Sequence, residues 1–267
     1  MLKRVCLWGV ASYLAAGGAG WAAGVPDCAG PVEIAQVRIL RLERTNDVLV
    51  LRDGRAIHME GIVLPRGAKD HAPSMIADQA FDALGKFVKG RELTVTAVNP
   101  KEDRYDRVRG QIFNGDSAEP WLQRALLARG LARVDIAPDR GECADELYAA
   151  EAQARAARIG LWSVPAYAVR TPDNVGRDVG TFQIVEGTVK NADLKNGRAY
   201  LNFGADWRTD FTVTIEPEDM ANFRRLGVDP RAYTGQTIRV RGLVQLLNGP
   251  EIEIANPQSV EVVRPSP

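Results

Sequence analysis

The sequence predicts a mainly β protein with helices, an α+β class, organised as two small domains in tandem. Three observations carry this. Short segments of alternating polarity recur along the chain. Asp53-Gly54 stands between two of them as a hairpin signal, because both residues tolerate positive φ. Helical periods interrupt the strands in only a few places.

Taken in order, Val32 to Glu43 alternates and reads as a first strand. The Asp53-Gly54 hairpin supplies the next two, with Val48, Val50, Ile57 and Met59 as inward positions. Ala72 to Lys89 changes period: Ile76, Ala80, Leu84, Phe87 and Val88 share a helical face, and Gly90 stops the helix. Arg91 to Val98 is a fourth strand and Val108 to Phe113 a fifth, with the charged loop Lys101 to Arg107 between them. Ser117 can cap a second helix that carries Pro120 in its first turn and ends before Gly130. Cys143 to Ile159 is a third helix, with Leu147, Ala150, Ala154, Ala157 and Leu161 on its apolar face. Five strands and three helices in this order suggest a barrel of the oligonucleotide/oligosaccharide-binding (OB) type.

Residues 164–178 contain Pro165, Pro172 and Gly176 without periodicity and read as a linker. Residues 179–267 form the second domain. Thr181–Lys190, Ala199–Phe203, Phe211–Ile215, Thr237–Val244 and Glu251–Ile254 read as strands, with a short helix over Glu218–Leu226. That order suggests a second OB-like β-barrel. Tyr200 and Trp207 could stack a ligand there, whereas Phe203 and Phe211 fit a core. Arg239 and Arg241 flank Val240 and read as a solvated strand face.

The 267 residues hold 34 Lys plus Arg and 34 Asp plus Glu, so the formal net charge is zero. That is a poor balance for gripping long duplex DNA, which needs many cationic phosphate contacts. Residues 1–24 have the layout of a signal peptide: Lys3 and Arg4, an apolar core from Val5 to Ala16, then small residues. A secreted or periplasmic location follows, with no integral membrane segment once the leader is removed. Cys6 leaves with the leader. Cys28 and Cys143 then remain in an oxidising compartment, where a pair usually forms a disulfide; two free thiols are the alternative. Two cysteines and two scattered histidines give no zinc spacing.

The stretch Arg44 to Arg66 resembles the active-site hairpin of the staphylococcal-nuclease-like (thermonuclease) family, where D-G-D-T is followed by strand, turn, strand and R-x-x-G-I-D-x-P-E. Gly61, Ile62 and Pro65 set the register without gaps. Asp103-Arg104-Tyr105-Asp106-Arg107, Leu126-Leu127-Ala128-Arg129-Gly130-Leu131-Ala132-Arg133-Val134, and Glu151 to Arg155 leading into Gly160-Leu161-Trp162-Ser163 extend the likeness from Val32 to Ser163. The resemblance implies the same OB-type barrel over residues 25–163.

In that family two Asp side chains hold calcium, a Glu activates water, and two Arg residues stabilise charge growing on phosphorus. Carried over by position, Asp47 matches the first calcium ligand and Arg107 the second Arg, so these two are the candidate catalytic residues. His58 stands at the first Arg. Val63 stands at the second calcium Asp, Leu64 at the backbone ligand, and Arg66 at the base. One carboxylate and two guanidiniums make this set net positive, and His58 adds to it when protonated. The resemblance therefore implies weak or no calcium binding, and His58, Arg66 and Arg107 as donors to an anion. On residue type alone, Asp47 also suits a turn, His58 a plain strand position, Arg66 a solvated loop, and Arg107 a salt bridge with Asp103 or Asp106. Glu60, two residues from His58, is a candidate replacement base.

The expected function is an exported, catalytically impaired nuclease-like protein that binds nucleic acid or another phosphate-bearing ligand without a cofactor. A calcium-dependent endonuclease and an envelope scaffold binding protein or glycan are the alternatives.

Overall fold

The computed structural model describes residues 25–44, 47–206 and 208–263. The expected leader, Cys6 within it, and Trp207 lie outside the described residues. No helix among the described residues is long and apolar enough to cross a membrane.

The first half is built from β1 (Val32–Val37), β2 (Ile39–Glu43), β3 (Val48–Leu51), β4 (Ala56–Met59), β5 (Ile62–Val63), α1 (Ser74–Val88), β6 (Leu93–Thr96), β7 (Val108–Phe113), α2 (Leu122–Ala128), β8 (Arg133–Val134) and α3 (Ala144–Ala156). Six strands form one sheet in the order β1-β6-β7-β4-β3-β2, and β5 pairs with β8 apart from it. The stretch expected as one strand is thus two, broken at Arg38, and it supplies both edges of the sheet. No ladder among the described residues closes the sheet into a barrel. The second helix begins after Trp121, not at Ser117, whose hydroxyl accepts instead from the Glu119 N–H at 3.3 Å. Ala157 is exposed, and Leu161 lies in the 3-10 turn Gly160–Ser163 beyond the helix, buried with Trp162.

The hairpin register also differs from expectation. Val48 lies opposite His58, Leu49 opposite Ile57 and Val50 opposite Ala56. The loop therefore has Arg52, Asp53 and Gly54 in it, with Gly54 at φ 90°. A two-residue Asp-Gly loop would pair the strands one position off, and a one-residue slip exchanges the faces. Leu49, Leu51, Ile57 and Met59 accordingly fill the core. Val48 and Val50 turn to the other face.

Gly130 and Gly160 owe their identity to a close crossing. A Cβ on Gly130 would stand 2.3 Å from the Ile159 carbonyl oxygen, and one on Gly160 would stand 2.2 Å from the Gly130 carbonyl oxygen. Both have positive φ, and the Leu161 N–H donates to Gly130 at 2.8 Å. This crossing joins the end of α2 to the turn after α3.

The second half contains β9 (Phe182–Thr188), β10 (Asn191–Lys195), β11 (Arg198–Asn202), β12 (Thr212–Ile215), α4 (Met220–Arg225), β13 (Thr237–Leu246), β14 (Pro250–Glu253) and β15 (Val260–Val262). They form a seven-stranded sheet ordered β10-β11-β12-β14-β13-β15, with β9 also on β13. β10 and β15 were not foreseen. Phe203 and Phe211 are buried in its core, ring centroids 5.1 Å apart. The segment expected as a linker is folded: Tyr167, Arg170, Val175 and Asp178 are buried, and Arg170 Nε donates to Asp178 at 2.7 Å.

The two halves are held together by buried polar contacts on α3 and β8. Arg241 on β13 is buried, not solvated, and bonds Glu151 of α3 at 3.0 Å. Its guanidinium lies over the Tyr148 ring, and Tyr148 donates its hydroxyl to the Gln258 carbonyl. Asn256 Nδ2 donates to the Ala137 carbonyl at 2.9 Å, and Arg133 donates to the Phe182 carbonyl. The expectation of a solvated face at Arg239 and Arg241 fails because α3 covers that face.

Candidate functional site

The sheet register places one row of side chains on the outer face of the hairpin. Glu43, Val48 and His58 lie directly opposite one another across β2, β3 and β4, and Arg41, Val50 and Ala56 form the next row. Cross-strand partners share a face, and Glu43, Val48, Val50 and Ala56 of these rows floor a cleft. Its volume is about 640 Å³, and Arg41, Arg66, Tyr105 and Arg107 rise around it. Arg66 and Arg107, from separate loops, are therefore brought to one cleft.

Each of these arginines is tethered to a carboxylate. Arg41 Nη2 lies 2.6 Å from Glu43. Arg107 Nη2 lies 2.6 Å from Asp103, its guanidinium stacked over Tyr105. Burial pushes the Asp103 pKa up, but hydrogen bonds from Arg107 and from the Tyr105 and Arg107 backbone outweigh it and leave the group below the ordinary carboxylate value. Asp103 thus folds its own loop around the arginine.

Arg66 Nη2 lies 3.3 Å from the Asp47 carboxylate. Asp47 precedes β3 with φ 54° and is buried, while Arg66 remains partly exposed. Burial is the strongest influence on Asp47 and raises its pKa; Arg66 and a backbone hydrogen bond from Leu64 only partly oppose it. The Arg66 N–H donates to Asp70 at 2.8 Å, and Asp70 also accepts from the Tyr167 hydroxyl at 3.0 Å. The backbone carrying Arg66 is anchored by that buried carboxylate. Asp47 and Arg66 also line a smaller hollow of about 220 Å³ with Arg44, Lys69 and Phe81.

His58 is half-buried behind Val48, beside Arg109 of β7. Its Nδ1 is buried without a hydrogen-bond partner. It lines neither cavity, so the four expected residues divide: Arg66 joins Asp47 on one side to Arg107 on the other, and His58 stands behind Val48, outside both. Glu60 is buried and bonded to Arg109 Nε at 2.9 Å, and Arg109 also holds Asp139 at 2.7 Å. A carboxylate fixed to a guanidinium is not placed to take a proton from water. Sequence reading missed Arg41 and Tyr105 as cleft residues. Arg41 could be found only from its register opposite Val50; Tyr105 stood inside a quoted motif.

The donor set does not fit calcium, which takes six to eight oxygens and clustered negative charge. Asp47 is the one carboxylate at the aligned positions. Val63 and Leu64 are apolar and buried, and the Arg66 guanidinium already occupies the approach to Asp47. The one group of potential metal ligands among the described residues is Cys28, Cys143 and Glu146. Its two cysteines are bonded to each other as a disulfide, with Cα atoms 5.1 Å apart.

Residues 56–164 match the staphylococcal nuclease homologue family. The matched range contains His58, Arg66 and Arg107 but begins after Asp47. No curated protein matches the chain. From Ala56 through the close crossing of Gly130 and Gly160 to Val164, the chain carries a staphylococcal nuclease homologue domain.

Proposed function

We propose that this is an exported, nuclease-related protein whose cleft binds nucleic acid or another phosphate-bearing ligand and does not hydrolyse it efficiently. The observation that carries the reading is Arg66 against Asp47. At the aligned positions a base and a metal ion are replaced by one guanidinium, 3.3 Å from the one acid that matches. Such a site keeps a fixed positive group for a phosphate and has no carboxylate placed to activate water. Arg107, Arg41 and the Tyr105 ring complete a surface suited to a phosphate with an organic neighbour. Export is supported by the layout of residues 1–24 and by the Cys28–Cys143 pairing, since disulfides persist in oxidising compartments. We read both sheets as OB-like arrangements, with half-buried Tyr200 on the second offered to a ligand.

The test uses protein lacking residues 1–24. Single- and double-stranded DNA and RNA are incubated with it in calcium and in chelator, and binding of a labelled oligonucleotide is followed at two salt concentrations. Salt-sensitive binding with no cleavage is expected. Calcium-dependent cleavage lost in Asp47→Ala or Arg107→Ala would overturn the reading. Absence of any salt-sensitive binding would instead favour a scaffold role.

A further inference from the structure

The arginines of the cleft are all tethered, but a second hollow holds cations that are not. It lies between α1, the turn into β6 and the end of α2, has a volume of about 410 Å³, and is lined by Lys86, Arg91 and Arg129. Among the described residues none of these three has a carboxylate within ion-pair distance. The one acid in the lining is Asp82, so the hollow carries a net charge of +2 from three cations and one carboxylate. The contrast with Arg41, Arg66 and Arg107, held at 2.6, 3.3 and 2.6 Å by Glu43, Asp47 and Asp103, is chemical as well as geometric. A tethered guanidinium must share its donors with its carboxylate. The cations of this hollow have theirs free.

The neutral lining has the same bias. Gln79 adds an amide, and the Ser117 hydroxyl, which accepts from the Glu119 N–H, keeps its own proton to donate. Asn114 is buried and holds the wall by donating to the Phe87 carbonyl at 3.4 Å. Half-buried Phe87 and Ala83 supply an apolar side. A donor-rich, net positive hollow with one apolar wall is matched by an anion rich in acceptors that carries an organic part. Gln79, Asp82, Ala83 and Lys86 recur at helical spacing, on a different face of α1 from Ala77 and Phe81, which line the Asp47 hollow. The two sites therefore flank α1 and do not merge.

We propose that the hollow of Lys86, Arg91 and Arg129 is a second binding site, for phosphate-bearing anions. It stands independently of the cleft reading.

The experiment titrates the protein lacking residues 1–24 with a fluorescein-labelled oligothymidylate at low and physiological salt. Arg91→Gln/Arg129→Gln is compared with Arg66→Gln/Arg107→Gln in the cleft and with Arg52→Gln/Arg224→Gln, exposed positions that remove the same charge elsewhere. The hollow variant is expected to weaken binding by about tenfold or more and to flatten the salt dependence by about 1.4 units of log–log slope, about 0.7 for each lost contact to a single strand. The Arg52/Arg224 control is expected to change affinity by less than about threefold. Asp82→Asn is expected to tighten binding. Equal affinities for the hollow variant and the control overturn the proposal. An effect confined to the hollow variant upholds it even if the cleft variant binds normally. Competition by inorganic pyrophosphate identifies the source: displacement of the oligomer marks a small-phosphate site, and failure to displace it marks a phosphodiester chain.

Discussion

Arg241 of β13 meets Glu151 of α3 at 3.0 Å with both side chains buried, joining the two halves of the chain through one charge pair. Glu151 also accepts from the Val134 N–H at 2.8 Å and from Arg155 at 2.8 Å, and Arg241 reaches Glu261 as well. The pair is thus the centre of a network in which nearly every charged atom is bonded.

Removing Arg241 takes from Glu151 its buried counter-charge and leaves Arg155 as the cation it still holds. Arg241→Met is expected to destabilise the protein by about 2–3 kcal/mol, below the cost of a wholly unpaired buried carboxylate. The double variant Arg241→Met/Glu151→Leu should recover part of that loss. Urea unfolding checks both. A single-variant loss below about 1 kcal/mol would mean that the network does not hold the halves together.

Asp47 gives a pH dependence with a definite sign. Its pKa in the folded protein is raised above 3.8 by burial. The protonated form is favoured by folding, so the stability it contributes is fully present below 3.8 and is lost as pH rises through the higher folded value. Asp47→Asn is therefore expected to raise the Tm near neutral pH, with the gain vanishing below 3.8. A gain that instead grew toward acid pH would contradict the burial argument.

The disulfide spans a sequence separation of 115 residues and ties the turn before β1 to the start of α3. In the chain-entropy view a loop that long is worth about 5 kcal/mol, an upper figure for Cys28→Ser/Cys143→Ser. Thiol titration of the unreduced protein lacking residues 1–24 should find no free thiol. Unfolding of the serine variant then measures the stabilisation.

The Arg66 guanidinium 3.3 Å from Asp47 is a charge unfavourable to a cation there. Arg66→Glu places a second carboxylate beside Asp47 and is expected to create a calcium response, worth about 1 kcal/mol at free calcium about five times the dissociation constant. Arg66→Gln should show none. Thermal unfolding with calcium and with chelator distinguishes them, and a calcium response in the unaltered protein would reverse the conclusion about its donor set.

Much of this molecule was readable from local chemistry. The 3.6-residue period of α1, the strands around Asp53-Gly54 and the apolar or basic residues at Val63, Leu64 and Arg66 are all properties of the chain over short spans. Local pattern misjudged the hairpin because two- and three-residue loops share the same Asp-Gly signal. The choice between them exchanged Val48 and Val50 for Leu49 and Leu51 in the core. It misjudged Arg241 because an alternating strand looks solvated until something covers it.

The sequence by itself determined which residue types stand at the positions that resemble the nuclease site, and hence that one carboxylate, Asp47, stands among them. Only the tertiary structure decided which charges meet. Asp47 takes Arg66 and Arg241 takes Glu151, while Lys86, Arg91 and Arg129 have no ion-pair partner among the described residues. The physical reason is range: periodicity and turn chemistry act over a few residues, whereas burial and ion pairing depend on which distant segments pack together.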